Sequence, residues 1–255
     1  MIALKSALLE AEGFPHGFFL RQGGVSSGPY RSLNFISASG DAVENVRQNV
    51  ERAAAFLGVL PDRVYYLSQV HGVAVEALFG TEEPSEVVRR VGDATMSDVP
   101  GVACGVRSAD CGTLLLGDRR AGRVAAVHAG WRGTVSGVVG AAVRALGAAG
   151  SRPDDLVVAI GPHIESCCFE VGDDVAEEIA GSAPNRDGVV IRKEGEKPRV
   201  DLRAVLVSQL ASLGIDSHRI DHVRGCTVCD EERFFSYRRD GKVSGRLLSA
   251  IVPRG

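Results

Sequence analysis

The sequence predicts a mixed α/β (α+β) fold in which mixed or stacked β-sheets are sandwiched between helices. Three observations lead there. Short apolar, β-branched runs recur along the chain, and amphipathic segments with helical spacing fall between them. A hexapeptide bounded by Gly117 and Gly122 joins two of the runs as a hairpin loop would. Antiparallel pairing of that kind argues against a purely parallel, doubly wound sheet.

In chain order, the first expected helix covers 42–57. Val43, Val46, Val50, Ala54 and Leu57 form one stripe, Asp41 with Glu44 resembles a capping box, and Gly58 supplies a stop. Strands are expected over 64–67, 73–78, 102–106, 113–116 and 124–127, the last two flanking the hairpin loop. A second helix over 134–146 is bounded by Gly133 and Gly147, and a strand over 156–160 follows. Helices over 173–180 and 202–213 and strands over 234–237 and 247–252 complete the series. The polar segments 81–92 and 181–198 read as surface loops, so residues 1–255 are expected to form one domain.

Composition narrows the function classes. With 255 residues, 45% of them apolar, the chain can bury a large core. A net charge of −3 provides no basic field, so neither nucleic acid nor an acidic membrane is expected as a partner. No run approaches the roughly 18 apolar residues of a membrane span. Lys5 and Glu10 interrupt the N-terminus too early for a signal peptide. The expected setting is the cytoplasm, where the six cysteines serve as thiols, metal ligands or core fillers.

Three segments concentrate chemistry. In RVAAVHAGWRGT, an apolar strand ends at Val127 and delivers His128 to the sheet edge, ahead of small residues that lead into a helix. Backbone N–H groups at such a terminus attract anions, and Arg132 adds a fork that grips phosphate. In RSADC, Asp110 accompanies Cys111 just past another strand, as a hydrogen-bonding partner or a turn former. In SQVHG, His71 precedes a glycine and sits at a turn. Each alone has a bland reading, because a single Cys is usually a buried small hydrophobe and a single His a hydrogen-bonded one. The spacing matches no compact zinc-finger pattern. Together, two His and one Cys make a chemically sensible set that leaves a fourth position open, the arrangement of catalytic zinc.

Two further features read as structural or incidental. Cys226 and Cys229 form a lone CxxC without a second pair, which leaves a closed four-ligand site incomplete. Cys167 and Cys168 are adjacent and cannot easily bridge each other, so one of them is expected to face the core. The cluster FFSYRRDGKVSGR reads as a strand, a turn at Asp240-Gly241, and arginines that face a small anion.

The series GFFLRQGGVSSGPYRSLN, QVHG, SADC, VHAGWRG, IGPHIESCCFEVG, Asp201-Leu202 and CT…FFSYRRDG…GR runs from Gly17 to Arg246. In order and spacing it resembles the YfiH family of laccase-domain, polyphenol-oxidase-like proteins. The resemblance implies a zinc site, with copper as the other metal, at His71, Cys111 and His128. It implies phosphorolysis of adenosine, inosine, guanosine and methylthioadenosine, together with adenosine deamination. Purine nucleoside and phosphate are then the small-molecule partners, with Cys111, His128 and Arg132 as catalytic candidates. Asn34, Arg47 and Arg238 are the substrate-binding candidates. Other readings remain open at this level. They are a cell-wall (peptidoglycan-editing) hydrolase using Cys111 with His128, a copper-dependent polyphenol oxidase, and a zinc-stabilised module that binds nucleosides without turnover. Only His16, His163, His218 and His222 lie outside the three-residue set, few for a multicopper site. The chain also departs from the family pattern. Thr113 stands where a proline is usual, and Asn49-Val50 replaces an Asn-Arg pair, leaving Arg47 or Arg52 as the available cation.

Overall fold

The structure, a computed structural model, describes residues 2–255. Its first part contains β1 (Ala3–Leu4), α1 (Ala7–Ala11), β2 (His16–Phe19), α2 (Val43–Leu57), β3 (Val64–Tyr65), β4 (Val75–Ala77) and α3 (Pro84–Val87). The middle contributes β5 (Ala94–Ser97), β6 (Ala103–Ser108), β7 (Gly112–Asp118), β8 (Val124–Ala129), α4 (Trp131–Val135), α5 (Val138–Ala148) and β9 (Leu156–Ile160). The last part adds α6 (Asp173–Gly181), β10 (Val190–Ile191), β11 (Arg199–Val200), α7 (Leu202–Ser212), β12 (Ile220–His222), α8 (Tyr237–Asp240) and β13 (Leu247–Ile251).

Two mixed sheets dominate, in the orders β1-β2-β13-β6-β3 and β12-β9-β7-β8-β5-β4. They pack face to face, and strand parity shows how. In β7, Leu115 points between the sheets with Phe18, Val106, Ala126, Ala159 and Ile251. Its neighbours Leu114 and Leu116 point the other way, onto Val139 and Leu146 of α5 and Leu206 and Leu210 of α7. The outer face of the first sheet is covered by α2, whose Ala53, Ala54 and Leu57 meet Phe19, Leu248 and Ala250. Strands buried on both faces explain the continuous apolar runs in the sequence. This is the mixed α/β sandwich expected. The hairpin over residues 117–122 also forms, with Gly117 opposite Val124 and the Asp118 carboxylate accepting the N–H groups of Arg120 and Ala121.

Several local expectations are corrected. The 134–146 helix is two helices, because Gly137 between α4 and α5 has φ +88°, which breaks the helical run. With only five residues, α4 carries too little aligned dipole to bind an anion by its N-terminus alone. The 234–237 segment is not a strand: Phe234 and Phe235 are both buried, and Ser236 then caps α8 by accepting the N–H of Arg239. No capping box forms on α2. Asp41 precedes the cap residue Ala42 and accepts from Asn34 and Asn45 instead, while Glu44 pairs with Arg47. On α2 itself Val43 is exposed, and Asn49 takes a buried position beside the apolar stripe.

Candidate functional site

Three chain reversals converge at one edge of the sandwich. His71 lies between β3 and β4, Cys111 immediately precedes β7, and His128 sits near the end of β8, directly opposite Thr113 in the β7–β8 ladder. The Cys111 Sγ lies 3.7 Å from the His71 Nε2, and the two imidazole rings meet edge to face at 5.0 Å. One donor atom from each of the three residues falls within 4.8 Å of the others. A tetrahedral ion with Zn–S near 2.3 Å and Zn–N near 2.05 Å needs S···N of about 3.6 Å. The donor set therefore fits a single ion of that size, with a side open to a cavity.

The backbone at these reversals is held under strain. His71 (φ +61°) and Asp110 (φ +89°) are the two non-glycine residues with positive φ among those described. Such conformations cost on the order of 1–3 kcal/mol each and persist only where surrounding contacts over-determine them. At His71 that role falls to Asp93, fully buried just before β5. Its carboxylate accepts the backbone N–H groups of Val70, His71 and Gly72 at 3.2, 2.9 and 2.7 Å. The same carboxylate meets the His128 Nδ1 at 2.8 Å. An ionised carboxylate only accepts, so Nδ1 bears the proton and Nε2 is left for a ligand. At Asp110, the carboxylate accepts the Thr227 hydroxyl and the Arg238 N–H, each at 2.6 Å. Sequence reasoning did not single out Asp93. It is an ordinary polar residue at a strand start, and only tertiary structure brings it to His128.

The charges follow from these contacts. Burial disfavours an ionised Asp93, but the His128 contact and the amides hold it below the usual carboxylate range. Burial likewise opposes a Cys111 thiolate, yet the neighbouring His128 and His71 imidazoles bring the thiol down to about 6. Against its own burial, His128 is raised to about 9 by Cys111 and Asp93. Near neutral pH the metal-free site therefore pairs a thiolate with an imidazolium, and a cation entering it displaces the Nε2 proton of His128.

The donor atoms face a cavity of about 790 Å³, whose lining includes Arg107, Arg132, Arg238 and Arg246 as well as Trp131 and Phe169. Arg107 is anchored through the carbonyls of Phe35 and Leu67 and stacks on Tyr66. Arg246 is held by the carbonyls of Ser244 and Gly245, and Arg238 by those of Cys168 and Glu170. Arg132 is exposed and stacks on Trp131 at 4.4 Å. Asp110 is the lining carboxylate, and both its oxygens are already engaged, so the cavity is electropositive. Arg107 was not among the sequence candidates, whereas Arg246 ends the cluster FFSYRRDGKVSGR, whose arginines were expected to face a small anion. The signal for Arg107 was an arginine near the end of an otherwise apolar strand.

Three candidates are not brought to the cavity lining. Arg47 lies on the exposed face of α2, paired with Glu44 and Glu51. Arg52 donates to the Gly23 carbonyl, so α2 delivers no cation here. Asn34 is buried, and its side chain bonds Ile36 and Asp41 and accepts the Arg246 backbone N–H at 2.9 Å. It holds Arg246 in place rather than lining the cavity. Asn49 bonds Val25, Ser26 and Asn34 and thereby fastens the long 24–34 loop. Thr113 does not disturb the turn after Cys111: it is a regular β7 residue whose hydroxyl meets that of Ser249 at 3.0 Å.

A family model described as "Multi-copper polyphenol oxidoreductase laccase" matches residues 15–254. The chain belongs to that laccase-like family, the YfiH family. It is 38% identical over 231 residues to the purine nucleoside phosphorylase ORF3 of Streptomyces griseus, covering 91% of each chain. The purine nucleoside phosphorylase YfiH of Escherichia coli is also 38% identical over 231 residues, covering 91% of this chain and 90% of that one. The crystal structure of YlmD from Geobacillus stearothermophilus superposes with a TM-score of 0.90 at 30% identity, over 100% of this chain and 99% of that chain. Among the described residues, no helix is long and apolar enough to cross a membrane.

Proposed function

We propose that the protein is a zinc-dependent purine nucleoside phosphorylase acting on adenosine, inosine, guanosine and methylthioadenosine, with adenosine deamination as a second activity. The observation that carries this reading is the His71–Cys111–His128 donor set opening onto an arginine-lined cavity of about 790 Å³. That volume lies within the usual range for small-molecule sites. The names of the Streptomyces and Escherichia relatives support it.

In this reading Arg132 and Arg238 hold phosphate, aided by Arg107 and Arg246, and Trp131 and Phe169 offer apolar surface to the purine. A phosphate oxygen attacks the anomeric carbon of the ribose, the bond to the purine nitrogen breaks, and the departing base takes up a proton. The products are free purine and ribose-1-phosphate, or the 5-methylthio derivative of that sugar phosphate when methylthioadenosine is the substrate. Bound zinc would supply Lewis-acid chemistry and, for deamination, water activation. Asp93 keeps the His128 proton on Nδ1, away from the ligand position. A cytoplasmic setting belongs to the proposal, supported by six cysteines that are all unpaired.

The test is to follow adenosine with zinc-loaded protein, with and without phosphate, beside Cys111→Ala. Phosphate-dependent adenine and ribose-1-phosphate, absent in the variant, are expected. No turnover at stoichiometric zinc would overturn the reading, and ligand-induced stabilisation alone would favour a nucleoside-binding module. A second reading, a peptidoglycan-editing hydrolase, rests on the Cys111–His128–Asp93 series, which resembles an activated thiolate with its base and orienting acid. Metal-free protein active on muropeptides would favour it.

A further inference from the structure

The CxxC that lacked a partner in the sequence has one in the fold. Two loops meet beside the cavity: the stretch after β9, carrying Cys167 and Cys168, and the stretch after β12, carrying Cys226 and Cys229. Their four sulfur atoms lie within 4.8 Å of one another. Within the group, Cys229 Sγ is 3.6 Å from that of Cys167 and 3.3 Å from that of Cys168. A tetrahedral ion with four Zn–S bonds near 2.3 Å sets its sulfurs about 3.8 Å apart. These two observed spacings fall about 0.2 and 0.5 Å below that value, so a bound ion needs only a slight opening of the cage. An iron–sulfur cluster distributes its thiolates over separate irons and needs a wider cage.

Two observations beyond the sulfurs support a built site. The loops are joined by their own backbone, since the His163 N–H donates to the Gly225 carbonyl at 3.2 Å and the Thr227 N–H to the His163 carbonyl at 3.1 Å. The cage is thus pre-organised, and the exposed Cys167 and Cys229 leave it open to solvent for metal entry. Cationic groups also sit along both loops. The Arg239 guanidinium donates to the carbonyls of Thr227 and Val228, and that of Arg238 to the carbonyls of Cys168 and Glu170. Arg239 is itself paired with Asp240, so of these two it is Arg238 that offsets part of the double negative charge of a divalent ion with four thiolates.

We propose that Cys167, Cys168, Cys226 and Cys229 form a second metal site, which takes a single zinc ion and clamps the two loops together. Binding releases the protons of those thiols that are not already ionised. The clamp has a consequence for the cavity wall. Thr227 of one loop donates to Asp110, and the Cys168 carbonyl of the other receives Arg238. The site is therefore structural: it takes no part in the chemistry next to it but holds the loops that position Asp110 and Arg238.

The experiment is elemental analysis of the full chain, purified with zinc present and reductant maintained. Two zinc ions per chain are expected for the unaltered protein, and one each for Cys111→Ser and for the double variant Cys226→Ser/Cys229→Ser. Cobalt substitution adds a readout that leaves the cage intact. In Cys111→Ser, which keeps the four-cysteine cage, bound cobalt should show an intense charge-transfer band of the strength expected for four thiolate ligands. This arm stands even if the double variant fails to fold. A single equivalent of zinc that Cys111→Ser abolishes would overturn the proposal. So would intact-mass analysis showing a disulfide between two of the four cysteines in protein isolated under reductant.

Discussion

The Asp93 carboxylate ties the two histidines together, because it accepts the Nδ1–H of His128 and, at the same time, the backbone N–H of His71. One buried group thus sets the tautomer of one imidazole and the strained turn that presents the other. Asp93→Asn keeps the shape but leaves a single acceptor oxygen for this set of donors. Metal affinity is expected to fall about 10–100-fold, the usual cost of losing such a partner. Stability should drop by about 1–3 kcal/mol from amides left without acceptors. Chelator competition and denaturant unfolding measure the two effects.

The opposed shifts of Cys111 and His128 predict a pH response in the metal-free protein. With the thiol at about 6, alkylation of Cys111 should rise through pH 6 and level off near neutrality, where an ordinary cysteine is still rising. The stability contributions have opposite signs. Cys111 has a depressed value, so its contribution grows with pH above about 6. His128 has a raised value, so its contribution declines as pH climbs toward about 9. Between about 6.5 and 8.5 the two slopes cancel, and denaturation should show no net pH dependence from this pair. In His128→Gln the alkylation midpoint should move upward. A midpoint unchanged from the parent would contradict the coupling.

How much of this was legible in the sequence follows from the range of the interactions. Helices α2, α6 and α7 and the β7–β8 hairpin declare themselves through local periodicity and turn chemistry. His71, Cys111 and His128 stand out because each follows a strand-like run. Asp93 and Arg107 gain their roles only through contacts far along the chain, such as the Asp93 carboxylate on the His128 Nδ1, which no local pattern encodes. Arg47 illustrates the converse error. It lies on a confidently expected helix, but the face it occupies turns to solvent and to Glu44 and Glu51. The partner pair of the CxxC was missed because Cys167 and Cys168 are consecutive, a spacing unlike the second half of a zinc ribbon.

The arginines separate by role. Truncating Arg132 or Arg238 should raise the KM for phosphate about 10–100-fold, since a hydrogen bond to a charged group contributes about 1.5–3 kcal/mol. Arg47→Ala should leave steady-state kinetics unchanged and stability within about 0.5 kcal/mol, as for most exposed positions. Initial-rate measurements over a phosphate series test all three. A kinetic defect in Arg47→Ala would return α2 to the site.

Gly130 supplies a purely steric test of the donor geometry. It follows His128 and Ala129 at the end of β8, and a Cβ built there would lie 2.5 Å from the His71 Cδ2 and 3.0 Å from the Cys111 Sγ. No L side chain fits without moving one of the two ligands. The glycine has a normal negative φ, so Gly130→Ala adds no backbone strain of its own. The neighbouring ladder between β7 and β8 makes its bonds through residues 112–129 and should remain intact. The variant is therefore expected to fold with an unchanged circular dichroism spectrum. Its metal content should fall, and phosphorolysis should drop by about 100-fold, the scale associated with a displacement of about 1 Å among reacting groups. Wild-type zinc content and turnover in Gly130→Ala would mean that His71 and Cys111 do not hold a metal in the arrangement described.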